Sequence, residues 1–278
     1  MVRYGLAAVA FSSSIMLLAN PVWAGPEAAL SLVPHRAVYD LKLKDVSDRS
    51  GIEGMFGRMV YEFTGSACSG FTTNFRFVTK IDTGEEQRVT DQQTTTFENI
   101  RAGQFRFDTK SFTDEQMDKQ VVGEAKDDAE GVKVELAKPD RREVQLTASQ
   151  FPTAHMLDVI ERAKKGERFF EARLFDGSED GDQTLLTSTI VGPQQGPKLD
   201  DAEANSAGAF AKKPYWPVTI AYFNEDAQTD STPVYRMSFK LYDNGITRDL
   251  IMDYGDFVLS GTLSKLEVLG EPDKHACK

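Results

Sequence analysis

Cysteine and histidine are scarce in this chain. Its 278 residues hold two cysteines, Cys68 and Cys277, and three histidines, His35, His155 and His275. Neither cysteine has a second cysteine or a histidine at the short spacing a zinc site needs, and no C-x-x-C redox pair occurs. The nearest histidine to either is His275, close to Cys277. A G-x-S-x-G nucleophile elbow, a useful Ser-x-x-Lys, a phosphate-cradling glycine loop and a dinucleotide fingerprint are all missing. Positive charge is short as well: 32 Lys and Arg stand against 43 Asp and Glu, a formal net charge of −11. Such a chain is repelled by nucleic acid and by bare anionic lipid. No cofactor and no metal are implied.

Long apolar runs are lacking except at the start, MVRYGLAAVAFSSSIMLLANPVWAG. Arg3 gives a short positive region, and Gly5 to Ala19 an apolar one too short for the ~20 residues of a comfortable membrane span. Pro21 breaks the helix, and Val22 and Ala24 are small residues at the −3 and −1 positions. The pattern predicts a secretory signal peptide over 1–24, cleaved between Ala24 and Gly25. The mature segment 25–278 is then expected to be exported, without a transmembrane segment, and to form a single domain. Removing the leader takes away one arginine and no acid, leaving the remainder one unit more negative.

Export places the two cysteines in oxidising surroundings, where paired cysteines are the rule. An intrachain Cys68–Cys277 bond is expected, with an intermolecular bond as the alternative. A staple closing so long a loop is worth up to about 5 kcal/mol in the chain-entropy account.

What the chain does have is alternation of apolar and polar residues, the mark of half-buried strands. It runs through HRAVYDLKL, RMVYEFTG, FTTNFRFV, QFRFD, GVKVEL and REVQL. It resumes in RFFEARLF, TLLTSTIVG, VTIAYF, VYRMSFKLY, DLIMDYG and DFVLSGTLSKLEVL. With 18 Phe and 8 Tyr there is material for a real core. Turn signals punctuate the runs, the strongest being Asp243-Asn244-Gly245, which suits a type I′ hairpin. About a dozen strands imply a mainly β fold, a large antiparallel sheet curled on itself. One helix interrupts them in FPTAHMLDVIERAKKGE, with Pro152 and Thr153 at its start and an inward stripe of Met156, Ile160 and Ala163. Gly166 is placed to end it, and the helix is a natural plug if the sheet stays open. Residues 197–213 lack periodicity and read as a mobile surface loop.

Two places invite a chemical reading. Asp176, Ser178, Asp180 and Gly181 imitate half of a calcium loop, but Thr187 stands where the bidentate glutamate belongs, so a solvated hairpin turn is the better expectation. The histidines sit in a strand (His35), a first helical turn (His155) and the tail (His275), places where histidine is most often structural.

Several stretches together resemble a known family. PHRAVYDLKL, GRMVYEFTGSACSG, FPTAH, DGSEDG, PYWPVTIAYF, VYRMSFKLYDNGI and LIMDYGDFVLSGTL are similar, in order, to the EipB family of bacterial periplasmic cell-envelope integrity proteins. The resemblance implies an open, spiralling β-barrel of about fourteen strands with a helix at its mouth. It maps a disulfide onto Cys68 and Cys277, and implies envelope maintenance without a known catalytic activity. The expected function is therefore non-enzymatic binding of a lipid, a lipoprotein or a protein partner. A hydrolase acting on peptidoglycan or glycolipid through a histidine is the alternative, and a scaffold without ligand the third.

Overall fold

A computed structural model describes residues 32–224 and 232–270. Ala24, Gly25, His275 and Cys277 lie outside them. Eight strands come first: β1 (His35–Val46), β2 (Gly54–Ser66), β3 (Gly70–Asp82), β4 (Gln87–Asn99), β5 (Gln104–Thr113), β6 (Gln116–Asp128), β7 (Gly131–Lys138) and β8 (Arg142–Leu146). Helix α1 (Pro152–Lys164) follows, then β9 (Phe169–Leu174) and β10 (Leu185–Val191). A short helix α2 (Ala204–Ala207) precedes β11 (Trp216–Asn224), β12 (Tyr235–Leu241), β13 (Thr247–Asp253) and β14 (Phe257–Val268).

All fourteen strands form one antiparallel sheet in the order 8-7-6-5-4-3-2-1-14-13-12-11-10-9. The sheet does not close, because β8 and β9, its short edge strands, are not partners. Sheet neighbours are chain neighbours throughout except where β1 meets β14, and α1 connects the strand at one free edge to the strand at the other. A single parallel bridge, Gln150 with Leu174, ties the segment before α1 to the end of β9.

The expected alternation fixes which face turns inward. In β1, Ala37, Tyr39 and Leu41 are buried while Arg36, Lys42 and Lys44 are exposed. At Gly57 the two strands approach so closely that a Cβ would lie 2.0 Å from the Val78 carbonyl oxygen, so any side chain there would push β2 off β3. The largest core joins β1 and β2 to β10–β14 and α1, with Tyr39, Leu41, Ile220, Leu241 and Leu259 almost fully enclosed. A second core sits on β5–β7, around Phe105, Phe107, Val132 and Val134. Phe151 and Phe175, from the segments before α1 and after β9, roof it; Phe175 meets Phe105 and Phe107 edge-on at 6.1 and 5.7 Å. Packing of rings, rather than a ladder of hydrogen bonds, holds this stretch against the far half of the sheet.

Three expectations need correction. Strands β4 and β6 carry no clean apolar alternation and were not foreseen. At Asp243-Asn244-Gly245 only the glycine takes positive φ, +85°, so the turn is not type I′. The two-residue loop with positive φ at both positions is Asp114-Glu115 (48° and 69°), between the paired Thr113 and Gln116. Residues 201–212, read as loop, form α2 and a following 3-10 turn around a buried ion cluster described below.

Candidate binding face and its supports

The inward rows of side chains change character as they cross the sheet. One row runs Leu263–Tyr39–Met59–Phe77–Gln92–Ser111 from β14 to β5. Its neighbours run Tyr61–Phe75–Thr94–Thr109 and Gly57–Thr79–Thr90–Thr113. The first two are apolar up to β3 and turn to hydroxyls and amides on β4 and β5, and the third carries threonine from β3 onward. Inward-facing Phe75, Phe77, Thr94, Thr109 and Ser111 are only half-buried, and Gln92 is exposed. Between the two packed cores the concave face is therefore a trough with an aromatic side and a hydroxyl side. Pairs such as Thr79–Thr90 (2.7 Å) and Thr94–Thr109 (3.2 Å) hydrogen-bond across the strands.

The trough opens at one end into a cavity of about 330 Å3. Phe77, Thr79, Gln92 and Thr113 form its sheet side, and Tyr254 and Phe257 of the β13–β14 turn face them. Tyr254 and Phe257 stack at 4.9 Å, and the ring series continues through Tyr235 at 6.1 Å to Tyr222, which lies 4.2 Å from Tyr235. Burial raises the hydroxyl pKa of Tyr222, Tyr235 and Tyr254, so all three stay protonated at neutral pH.

Two polar devices hold this face in shape. Phe151, at the N-cap of α1, has no side chain able to cap the helix, and Pro152 follows it. Glu98, buried on the inner face of β4, takes that place: its carboxylate oxygens accept from the backbone N–H of Thr153 (2.7 Å) and of Ala154 (2.9 Å). A negative group on the positive end of the helix dipole thus ties α1 to the wall of the trough. Burial raises the Glu98 pKa, against the lowering pull of those two amides.

The second device is the buried Arg248 of β13. Its guanidinium donates to Asp201, to Glu203 at 3.1 Å and to the Tyr242 hydroxyl at 2.7 Å. The other Glu203 oxygen accepts from the backbone N–H of Leu263 (2.6 Å) and Asp249 (3.2 Å), where the β12–β13 register slips. A side chain from the 197–213 segment so completes a ladder that the strands leave open.

The residues singled out by sequence fall as follows. His35 is buried against the Tyr61 and Phe63 rings, with Nδ1 2.7 Å from the Val33 carbonyl. His155 is buried under α1, its Nε2 3.2 Å from the Thr187 hydroxyl, which itself donates to the Ala172 carbonyl at 3.0 Å. Burial lowers the His155 pKa to about 4, so the ring is neutral at pH 7, and because the Thr187 hydroxyl donates to Ala172 it is the Nε2–H tautomer of His155 that donates to Thr187. Neither histidine faces a serine nucleophile, and both are enclosed by packing. The Asp176–Asp182 stretch is a solvated turn only at its tip, where Glu179 and Asp180 are exposed, and its two glycines are buried. Gly177, at φ +71°, is pressed so close to Phe107 that a Cβ would lie 2.6 Å from its ring. Asp180 pairs with Lys119 at 2.8 Å and Asp182 with Arg142 at 2.6 Å, so two of its four acids are engaged by β6 and β8. Among the described residues no three His, Cys, Asp or Glu gather to hold a metal. Cys68 lies in the β2–β3 turn, its N–H donating to Ser66 Oγ at 3.3 Å, and no described cysteine is a free thiol.

Sequence comparison places this architecture. The family described as EipB-like matches residues 26–270. The chain belongs to the EipB-like family. It is 50% identical over 265 residues to the cell envelope integrity protein EipB of Brucella abortus (strain 2308), covering 95% of this chain and 94% of that relative. A crystal structure of a beta-barrel-like protein, a domain of unknown function from Brucella abortus, superposes with a TM-score of 0.84 at 51% identity. That likeness covers 87% of this chain and 100% of the other. The open fourteen-stranded sheet is thus an EipB-like fold, and no helix among the described residues is long and apolar enough to cross a membrane. Sequence reasoning missed Glu98, Glu203 and the trough hydroxyls; the only signal was the threonine-rich run QQTTT, since threonine favours strands.

Proposed function

We propose that this chain acts in the periplasm, after removal of residues 1–24, as a non-catalytic binding protein that helps maintain the Gram-negative envelope. Its concave face would take a lipid, a lipoprotein segment or a protein partner. One observation carries the reading: a curled sheet with two filled cores leaves the inner face of β3–β5 partly open between them. Concave surfaces with an apolar wall and a few convergent polar groups are where ligands bind. The envelope role draws support from the name of the Brucella relative, and the compartment from the leader pattern. The surroundings of His35 and His155 lend nothing to a hydrolase. A Cys68–Cys277 bond belongs to the same proposal, fastening the end of the chain to the β2–β3 turn so that the open sheet keeps its curl.

Native mass spectrometry of protein purified from the periplasm tests the reading. The wild type should carry a bound species, and Thr94→Trp, which fills the trough, should lose it while keeping its unfolding midpoint. A bare wild type, together with a filled variant that fully restores envelope integrity to a deletion strain, would sink it.

A further inference from the structure

We infer that the cavity at the end of the trough is a saccharide site, taking a neutral or amino sugar of an envelope glycoconjugate. The inference rests on the concave-face reading and names the chemistry of its ligand. Its walls differ in kind. On one side stand the rings of Phe77 and of the Tyr254–Phe257 stack, with Tyr254 38% exposed. On the other stand the hydroxyls of Thr79, Ser111 and Thr113, the Gln92 amide and the Asp118 carboxylate. The Thr113 hydroxyl donates to Asp118 at 2.7 Å, which leaves the second carboxylate oxygen for a ligand.

Three classes of occupant meet this wall differently. An acyl chain would suit the rings together with Met55, Ile81 and Phe112, but it would strip water from Gln92 and Asp118 without replacing their hydrogen bonds, a cost that a sugar avoids. A phosphate or carboxylate headgroup needs a cation, and among the described residues lining the cavity there is no lysine or arginine, while the Asp118 carboxylate is present and that of Asp91 is already held by Arg76 at 2.8 Å. An extended peptide binds best where backbone groups are free, yet β3, β4 and β5 are paired on both sides. A sugar has an apolar ring face for the aromatic stack and a rim of hydroxyls that both donate and accept, matching amide, hydroxyl and carboxylate. The Asp118 carboxylate adds preference for an amino or N-acetylamino group over an acidic sugar.

Isothermal titration of the mature chain with three probes decides: the β-1,4-linked tetramer of N-acetylglucosamine, maltotetraose and lauric acid. At least one saccharide should bind. Tyr254→Ala and Gln92→Ala should each weaken it by about tenfold or more, whereas Tyr254→Phe, which keeps the ring, should not. Gln92 is exposed, so Gln92→Ala should leave the unfolding midpoint unchanged, which separates lost contacts from lost fold, while Tyr254→Ala, which also gives up its stack with Phe257, is read beside Tyr254→Phe. Failure of both saccharides to bind, or binding indifferent to Tyr254→Ala, overturns the saccharide site. Laurate bound in a Tyr254-dependent way would overturn it while leaving the concave-face reading standing. If no probe binds and Tyr254→Ala fully supports envelope integrity in a deletion strain, both fall.

Discussion

Replacing Glu98 by alanine tests how the fold holds α1. The change removes both acceptors of the Thr153 and Ala154 amides, and no side chain at Phe151 can substitute. Each buried N–H left without a partner costs on the order of 1–3 kcal/mol, and loss of a cap on its own about 0.5–2 kcal/mol. These overlap, so a total of about 3 kcal/mol is reasonable, or roughly 10 °C in the melting midpoint of a domain this size. Glu98→Gln keeps one acceptor and should lose about half as much. The pH dependence carries its own sign. Because burial holds the Glu98 pKa above the usual glutamate range, the folded state keeps a proton that the unfolded chain has already released. That contribution is complete below the ordinary glutamate pKa and fades as pH rises through the raised one; Glu98→Gln should lack it. Circular dichroism melts at several pH values, with hydrogen exchange at the α1 amides, read all of this. A Glu98→Ala protein that melts within a degree of wild type, with α1 amides equally protected, would refute the cap.

Other outcomes follow from the same geometry. Glu203→Ala should cost about 3–5 kcal/mol in urea unfolding, since it strips a carboxylate from buried Arg248 and orphans the Leu263 amide; a loss under 1 kcal/mol would mean water fills the gap at no cost. His155 contributes in the opposite sense to Glu98: its pKa falls from 6.5 to about 4, so its share of stability is present above 6.5 and lost as pH drops through that interval. His155→Gln should flatten that part of a stability-versus-pH curve, and an unchanged slope would place the titration elsewhere. Cys68→Ser should lower stability by about 2–5 kcal/mol, and the wild type should migrate as a monomer without reductant. A ladder of reducible dimers would instead identify an intermolecular bond.

The strands of β1–β3 and β9–β14 were legible because one face of each is apolar, and α1 because its apolar spacing and Gly166 agree. β4 was not, for a reason that bears on function: a strand whose inner face lines a wet trough need not alternate. Asp114-Glu115 gives no turn signal, since neither residue is glycine or asparagine and the register of the flanking strands imposes the positive φ. Segment 197–213 looked aperiodic because its order is imposed from a distance, through Asp201 and Glu203 to Arg248 in β13. Glu98 caps a helix more than fifty positions along the chain, a pairing no local pattern encodes. The motif that looked most chemical, Asp176 to Asp182, is spent on cations and on close packing against Phe107.

The pairing of β1 with β14 has a consequence for assembly. Every other neighbour in the sheet can form as a local hairpin, but one edge of β1 must wait for the last strand of the chain. Until then twelve residues of backbone stand open, a template for a stray strand from another molecule. β1 is armed against that: Arg36, Asp40, Lys42 and Lys44 line its outward side, so a wrongly docked apolar strand would have to bury charge. Deleting β14 would leave both β1 and β13 with bare edges, and such a truncation should aggregate rather than merely lose stability.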